Sequence, residues 1–472
     1  MKYILKVMSK MIFASRSEPV DLNCQPEPAC PAGSYITAIT FFKSLPAIAF
    51  IFLLAACTNM DNAELSERAT FIKLYSGIRG IEAAAAELTD DGYIVLGNMT
   101  IARDSVITVV FKTDKRGNRT TPIRYYQGGS GNAIKALSGN QGYIIVGERI
   151  KTDPGASQTD NIDIISARML HISNDLDSIK TLYRKDETTN TIKTDYSGNA
   201  VTITPGNNVV VLGTYQESLS NPVRPYLQQF NASFTTEENY LEYTVQQRSY
   251  RNSKSIHYLN GNFVWASSIA LEQQNFDFSY ATIPFIQDGS VFTNNSALGI
   301  TTATTQSLRP NDIQPSKLPN IGDVGFGVVG TRANPNGSNA NMIYFRVSPQ
   351  GEIYSSSVKY FDTLDGSVDA TTSDIQDYGT ALTATSDGGF VLAGHFTTNP
   401  QKGNGLNDIL LVKVDLQGNM FWMKTLGGTG SETVSTICET EDGGLLICGT
   451  NTLGNVPSIF LIKTDRNGEL KD

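Results

Sequence analysis

Asp387-Gly388-Gly389-Phe390-Val391-Leu392-Ala393-Gly394 leads, after a gap, to Asp408-Ile409-Leu410-Leu411-Val412-Lys413-Val414-Asp415-Leu416-Gln417-Gly418-Asn419. The same order returns in Asp442-Gly443-Gly444-Leu445-Leu446-Ile447-Cys448-Gly449 and Ile459-Phe460-Leu461-Ile462-Lys463-Thr464-Asp465-Arg466-Asn467-Gly468. Each unit is a glycine turn, a short apolar run closed by Gly, a variable gap, a second apolar run and an Asp-x-x-Gly turn. Working back along the chain, more worn copies stand at Asp91-Gly92-Tyr93-Ile94-Val95-Leu96-Gly97, Gln141-Gly142-Tyr143-Ile144-Ile145-Val146-Gly147, Asn208-Val209-Val210-Val211-Leu212-Gly213, Gly261-Asn262-Phe263-Val264-Trp265-Ala266 and Gly325-Phe326-Gly327-Val328-Val329-Gly330.

These seven copies recur every 50 to 66 residues, room for four short strands and their loops. Runs bounded by Gly, Asp and Asn at such intervals predict an all-β chain. A parallel β-helix repeats at about half this length and a sandwich does not repeat, so the expected fold is a seven-bladed β-propeller. The last copy lacks a fourth strand before the sequence stops at Asp472, and Phe71-Ile72-Lys73-Leu74-Tyr75 matches the fourth-strand segment Trp422-Met423-Lys424-Thr425-Leu426. Residues 69–76 are therefore expected to close the last blade as its outer strand, leaving no open seam.

Before that body, an apolar run of 12 residues from Leu45 to Ala56 ends in Leu54-Ala55-Ala56-Cys57. It is too short for the roughly 20 residues that span a bilayer. Small residues ahead of a cysteine whose thiol takes the lipid make this a lipobox. The expected division is 1–56 as a removed leader and lipoprotein signal peptide, 57–68 as a lipidated tether acylated on Cys57, and 69–472 as the propeller. The leader is long, with Cys24, Cys30 and several prolines and no periodicity, which suggests a start codon placed too early. Thr58 rather than Asp follows Cys57, and resemblance to Gram-negative lipoproteins then implies sorting to the outer membrane, on its periplasmic side or at the cell surface. Removing the leader leaves 32 basic against 43 acidic residues. A body with that balance repels phosphate backbones, so nucleic acid is not an expected partner.

With four strands per blade, Asp-Gly-Gly and Asp-x-x-Gly turns share one rim and the variable connections share the other. Scaffolds carry function on variable loops, so the long-loop face is the expected binding face. Tyr215, Arg224, Arg332 and Tyr378 stand at or near the ends of those loops and are the candidate ligand-binding residues.

The repeats resemble those of bacterial propeller lipoproteins with Asp-Gly-Gly-Phe/Tyr units, over roughly residues 70 to 472 and most closely in the final two. That group shares a fold rather than one activity. Asp415-x-x-Gly418-Asn419-x-x-Trp422 also looks like one tryptophan-docking repeat of quinoprotein dehydrogenases and of the propeller subunit of outer-membrane protein assembly. A single copy carries the Trp, which argues against a quinone cofactor, and no cofactor is expected.

Catalytic motifs are thin. His171, His257 and His395 fall in three different units with no ligand at metal spacing, so no metal is expected. Asp114, Asp415 and Asp465 come one per turn, as turn caps rather than calcium ligands. Gly128-Gly129-Ser130-Gly131 and Gly427-Gly428-Thr429-Gly430 lack the lysine and helix of a phosphate cradle and read as blade-to-blade turns. Cys438 and Cys448 flank a turn, and a disulfide between them is left open. The expected function is a lipid-anchored, extracytoplasmic binding or scaffold module for a glycan or protein partner. The alternative is a glycan-active hydrolase or lyase with its site on the long-loop face.

Overall fold

The computed structural model describes residues 70–471, apart from 78, 103–104, 154–161, 185–194, 219, 243–247, 260–261, 272–278, 283–284, 288–298, 301–306, 318–324, 334–339, 350–352, 364–374 and 400–401. The leader, Cys57 and most of the longest variable loops lie outside them. No helix among the described residues is long and apolar enough to cross a membrane.

The chain is an all-β propeller. Six antiparallel sheets have four strands each, and a further one, at 248–300, has five. Numbered in chain order, sheets 1 to 7 begin with the inner strands Glu82–Thr89, Ala133–Ala136, Asp195–Ile203, Arg248–Leu259, Ser307–Pro315, Asp377–Ala384 and Ser431–Glu439. Each inner strand packs beside the next, and that of sheet 7 packs beside that of sheet 1. The core lies between sheets. Ile81, Val95 and Phe111 of the first meet Leu446, Cys448 and Leu461 of the last, all buried. Removing one such Leu or Ile side chain costs about 2–5 kcal/mol.

The closing strand stands where the sequence places it. Phe71–Tyr75 pairs antiparallel with Val456–Thr464, Phe71 opposite Lys463. Trp422 stands opposite Lys413 in sheet 6, the same register. Each aromatic then covers the third turn of the next sheet: a Cβ on Gly117 would meet the Phe71 ring at 2.6 Å, and one on Gly468 the Trp422 ring at 3.0 Å. Thr70 Oγ1 donates to the Lys471 carbonyl at 2.7 Å, fastening the two ends of the ring.

The glycine that ends each apolar run has a specific cause. In sheets 1, 3, 5, 6 and 7 the inner strand carries a one-residue bulge, at Ala83/Ala85, Gly198/Ala200, Pro310/Asp312, Gly379/Ala381 and Val434/Thr436. The residue paired just before the bulge is Gly97, Gly213, Gly330, Gly394 or Gly449. A Cβ on any of them would lie 1.7–2.6 Å from a carbonyl oxygen of the inner strand, and one on Gly147 in sheet 2 would lie 2.2 Å from the Ser130 carbonyl just before that sheet's inner strand. Side chains at the bulges then reach the neighbouring sheet: Asn311 Nδ2 donates to Gly379 O and Ser435 Oγ to Ala83 O. Asn132 Nδ2 makes the matching bond to Gly198 O from sheet 2.

The turns are held by the residues that mark them in sequence. Asp415 Oδ1 accepts the Asn419 N–H at 2.8 Å, and Asp114 Oδ1 accepts those of Arg116 and Asn118. Lys463 Nζ reaches both Asp442 carboxylate oxygens at 3.0 Å, and Lys413 Nζ reaches Asp387 at 2.7 Å. A Cβ on Gly444 would lie 2.3 Å from the Thr464 carbonyl oxygen and one on Gly389 2.3 Å from that of Val414, which explains the second glycine of Asp-Gly-Gly. Residues 127–132 and 427–430 connect successive sheets, as expected of blade-to-blade turns. Cys438 pairs with Leu446 and Cys448 with Thr436, so the two cysteines are not opposite each other, and both are free thiols.

Candidate functional site in the propeller lumen

The inner strands surround a cavity of about 390 Å³ lined by residues from all seven sheets. In six of the sheets its lining residues come from the middle and the C-terminal half of the inner strand, toward the rim of tight turns, and in sheet 2 from Asn132 to Lys135 at the start of that short strand. Four of the strands each contribute one charged side chain, Glu87, Lys135, Lys254 and Asp312.

Glu87 and Lys135 form an ion pair across sheets 1 and 2. The carboxylate beside it holds the Lys135 ammonium above its ordinary value, against the effect of burial. Asp312 is almost fully enclosed. It accepts the Ser255 hydroxyl, the Ile313 N–H at 2.8 Å and the Leu382 N–H at 3.0 Å. Burial nevertheless outweighs these bonds and pushes its carboxyl up to about 6. His257 Nε2 lies 2.6 Å from the Ile313 carbonyl and donates to it, while burial and the Lys135 charge depress the ring to about 4. Lys254 is lowered by burial, which the nearby Asp312 carboxyl opposes. Burial also raises the Cys438 thiol to about 12, leaving it a poor nucleophile at neutral pH. At neutral pH the lumen thus holds a neutral imidazole, a thiol, an ion pair and a second lysine beside a carboxyl of raised pKa.

Lys254 owes its place to a departure from the repeat. In sheet 4 the residue before the bulge is Ser267, not Gly. The register jumps from Asn252↔Ser267 to Ile256↔Trp265, so residues 253–255 go unmatched where other sheets leave out one. That loop of backbone sets Lys254 on the cavity wall and Ser255 against Asp312.

The four residues expected from sequence do not form one site. Tyr215 and Arg224 are directly paired in sheet 3. Tyr215 is buried, stacked on Tyr196 at 6.1 Å, with its hydroxyl pushed by burial to about 12. It belongs to a packed group with Tyr226 and Tyr240 beside Arg184, whose guanidinium lies 3.5 Å from the Tyr240 ring centre. Arg224 faces Glu217 at 4.0 Å. Arg332, in sheet 5, lies over the Tyr360 ring at 4.4 Å, and Tyr378, in sheet 6, stacks on His395 at 4.9 Å. All four sit at the long-loop ends of their strands, on three different sheets. The lumen residues were missed because each is a lone charge in a separate unit; the available signal was a charged residue in the strand that ends at each glycine turn.

No protein-family model matches the chain, and no curated protein does. Among solved structures, the Trypanosoma rangeli sialidase in complex with 2,3-difluorosialic acid is similar at 8% identity and a TM-score of 0.43, over 82% of this chain and 54% of that one. The GH93 alpha-L-arabinofuranosidase of Fusarium graminearum in complex with arabinobiose is similar at 12% identity and a TM-score of 0.42, over 72% of this chain and 93% of that one. The chain spans about half the length of the sialidase structures it matches. No residue role is transferred from these enzymes; the propeller assignment stands on strand order and closure.

Proposed function

We propose that the mature chain is a lipid-anchored, extracytoplasmic propeller of seven blades, sheet 4 being the fourth, that binds a partner on its long-loop face. One observation carries this reading. Exposed apolar side chains crown the second-to-third-strand hairpins of three consecutive sheets on that face: Leu406 at 71%, Leu453 at 63%, Val456 at 51% and Ile101 at 40% exposure. Exposed apolar side chains repeated on neighbouring hairpins suit an interaction surface, and the aliphatic character favours a protein partner over a glycan. Tyr215, Arg224, Arg332 and Tyr378 border the same face and would contribute at its edge.

The point of entry into the ring supports this orientation. Phe71 lies opposite Lys463 near the C-terminal end of that strand, and Thr70 is bonded to Lys471, so the chain enters at the rim of tight turns. A tether of residues 57–68, acylated at Cys57, reaches at most about 40 Å. It would hold the turn rim toward the outer membrane and leave the opposite face free. The test is photo-crosslinking from Leu453 and, as a control, from Phe421 on the turn rim, in cells carrying the acylated protein. Capture of a discrete partner from Leu453 alone, lost with Leu406→Ser and Val456→Ser together, is the expected result. Equal labelling from both positions, or release of the protein unchanged by Cys57→Ala, would sink it.

The lumen favours the second reading, a glycan-active hydrolase or lyase. Asp312 and Glu87 line one cavity, the first pushed toward its acid form and the second ion-paired with lysine, as a carboxyl acid and a carboxylate base require. This places the acids nearer the turn rim than the long loops. Turnover of any glycan by the wild type that Asp312→Asn abolishes would establish it in place of the binding reading.

A further inference from the structure

Asp408, in the third strand of sheet 6, and Glu432, in the inner strand of sheet 7, are two buried acids brought together at one junction with no ion pair to a basic side chain among the described residues. They are 3% and 4% exposed. Two buried lysines nearby show the contrast, since each has a carboxylate partner: Lys413 has Asp387 and Lys463 has Asp442. Asp408 Oδ2 accepts the Asn404 N–H at 2.8 Å, and Glu432 Oε2 accepts that of Gly428 at 3.3 Å. The other two oxygens, Asp408 Oδ1 and Glu432 Oε1, are buried without a hydrogen-bond donor. The two carboxyls face each other closely enough to interact directly. Two acids so placed need something positive between them, either a shared proton or a cation.

The walls of this spot favour a cation. A Cβ built on Gly430 would lie 2.4 Å from Asn451 Oδ1 and 3.0 Å from Glu432 Oε1, so an amide oxygen and a carboxylate oxygen flank one small volume. A Cβ on Gly427 would lie 2.1 Å from Asp408 Oδ1. Any side chain at 427 or 430 would therefore fill the space beside the unpartnered oxygens. Asp408 Oδ1, Glu432 Oε1 and Asn451 Oδ1 are oxygens beside these two glycines, the donor type of a hard cation, while the Asn404 and Gly428 N–H groups hold the other carboxylate oxygens. No three Asp, Glu, His or Cys side chains converge among the described residues, so backbone oxygens and water must complete the shell. Such an irregular, partly hydrated set of loop oxygens suits Ca²⁺ better than Mg²⁺, which demands near-octahedral order.

We propose that Asp408, Glu432 and Asn451 form a Ca²⁺ site at the junction of sheets 6 and 7, on the long-loop face. The ion would join the hairpin carrying Leu406 to the connection 427–430, segments already tied by Leu406 N–H to Gly430 O at 3.0 Å and Asn407 Nδ2 to Ser431 Oγ at 3.0 Å. The ligands lie 24 and 19 residues apart along the chain, which is why no spacing motif announces them.

Equilibrium dialysis of the full-length protein with ⁴⁵Ca²⁺, beside thermal melts in CaCl₂, MgCl₂ and EGTA, tests the site. The expected result is one bound Ca²⁺ with a dissociation constant on the order of 10⁻⁴–10⁻³ M, as for extracellular modules, and a melting temperature raised by CaCl₂ more than by MgCl₂. Asp408→Asn and Glu432→Gln should each weaken binding at least tenfold and abolish the calcium-dependent shift. Asn451→Ala leaves both carboxylates in place and should weaken binding severalfold, so the question stays open to test even where an acid variant fails to fold. Absence of binding at millimolar Ca²⁺ overturns the proposal. So does unchanged affinity in the variants, which places the ion elsewhere, or a Glu432→Gln protein that melts like wild type with and without Ca²⁺, which leaves a shared proton as the neutralising charge.

Discussion

Sheets 7 and 4 solve one packing problem in two ways. In sheet 7, Gly449 lets the Thr433 carbonyl approach to where a Cβ would be 2.1 Å away, and the inner strand needs one unmatched residue before pairing resumes. In sheet 4 Ser267 stands in that place, paired with Asn252, and the register then breaks, leaving residues 253–255 and Ala266 unmatched. Close approach gives the regular, legible repeat; its loss gives the irregular backbone that brings a lysine and a serine to the cavity. Regularity in this fold is carried by backbone contacts; the regular sheets supply Glu87, Lys135 and Asp312 to the lumen, and the relaxed one adds Lys254 and Ser255.

The harshest way to break the comparison is to take the outer strand from the regular sheet. A protein beginning at residue 77 loses Phe71–Tyr75, exposing the edge Val456–Thr464 and uncovering Gly117. We expect loss of a single cooperative melt and concentration-dependent aggregation, followed by circular dichroism and light scattering. A protein beginning at residue 70 keeps the strand and should melt like the full chain. Equal stability of the two would show that the closing strand contributes nothing to the ring.

A smaller perturbation exchanges the two solutions. Gly449→Ser puts the sheet 4 residue type into sheet 7, against the Thr433 carbonyl and the Phe460 ring, and backbone there has little room to yield. We expect about 3 kcal/mol of destabilisation in urea melts. Ser267→Gly, which removes a side chain rather than adding one beside the break in register, should cost about 1 kcal/mol, chiefly glycine's backbone entropy. Costs of similar size would mean that close approach at Gly449 is not what demands glycine there.

The same contrast explains what the sequence could disclose. Turns and the closing strand were legible because local rules govern them: Gly444 must be glycine to clear the Thr464 carbonyl, and Phe71 repeats the part of Trp422. The lumen was not, because Glu87, Lys135, Lys254 and Asp312 are separated by whole repeats and meet only when the ring closes. Ser267 in place of glycine was a visible sign of something unusual in the fourth unit, though it does not reveal which side chain the longer bulge delivers. Tyr215 drew notice as an aromatic near a loop, yet its ring is committed to Tyr196 and the packing around Arg184.

The smallest effect separates the opposed titrations within the lumen. Asp312, pushed up to about 6, binds a proton in the folded protein that it has released in the unfolded chain; its stabilisation is complete below about pH 4 and is lost as pH rises through 6. His257, depressed to about 4, has the reverse sign: its stabilisation is complete above about pH 6.5 and is lost as pH falls toward 4. Between those limits the two largely offset. His257→Gln removes one of them and keeps a donor within reach of the Ile313 carbonyl. Its stability relative to wild type should therefore improve by roughly 1–3 kcal/mol as pH is lowered from 7 to 4, measured by urea melts across that range. A constant difference would mean that His257 is not held neutral by the fold and that the lumen is wetter than its lining implies.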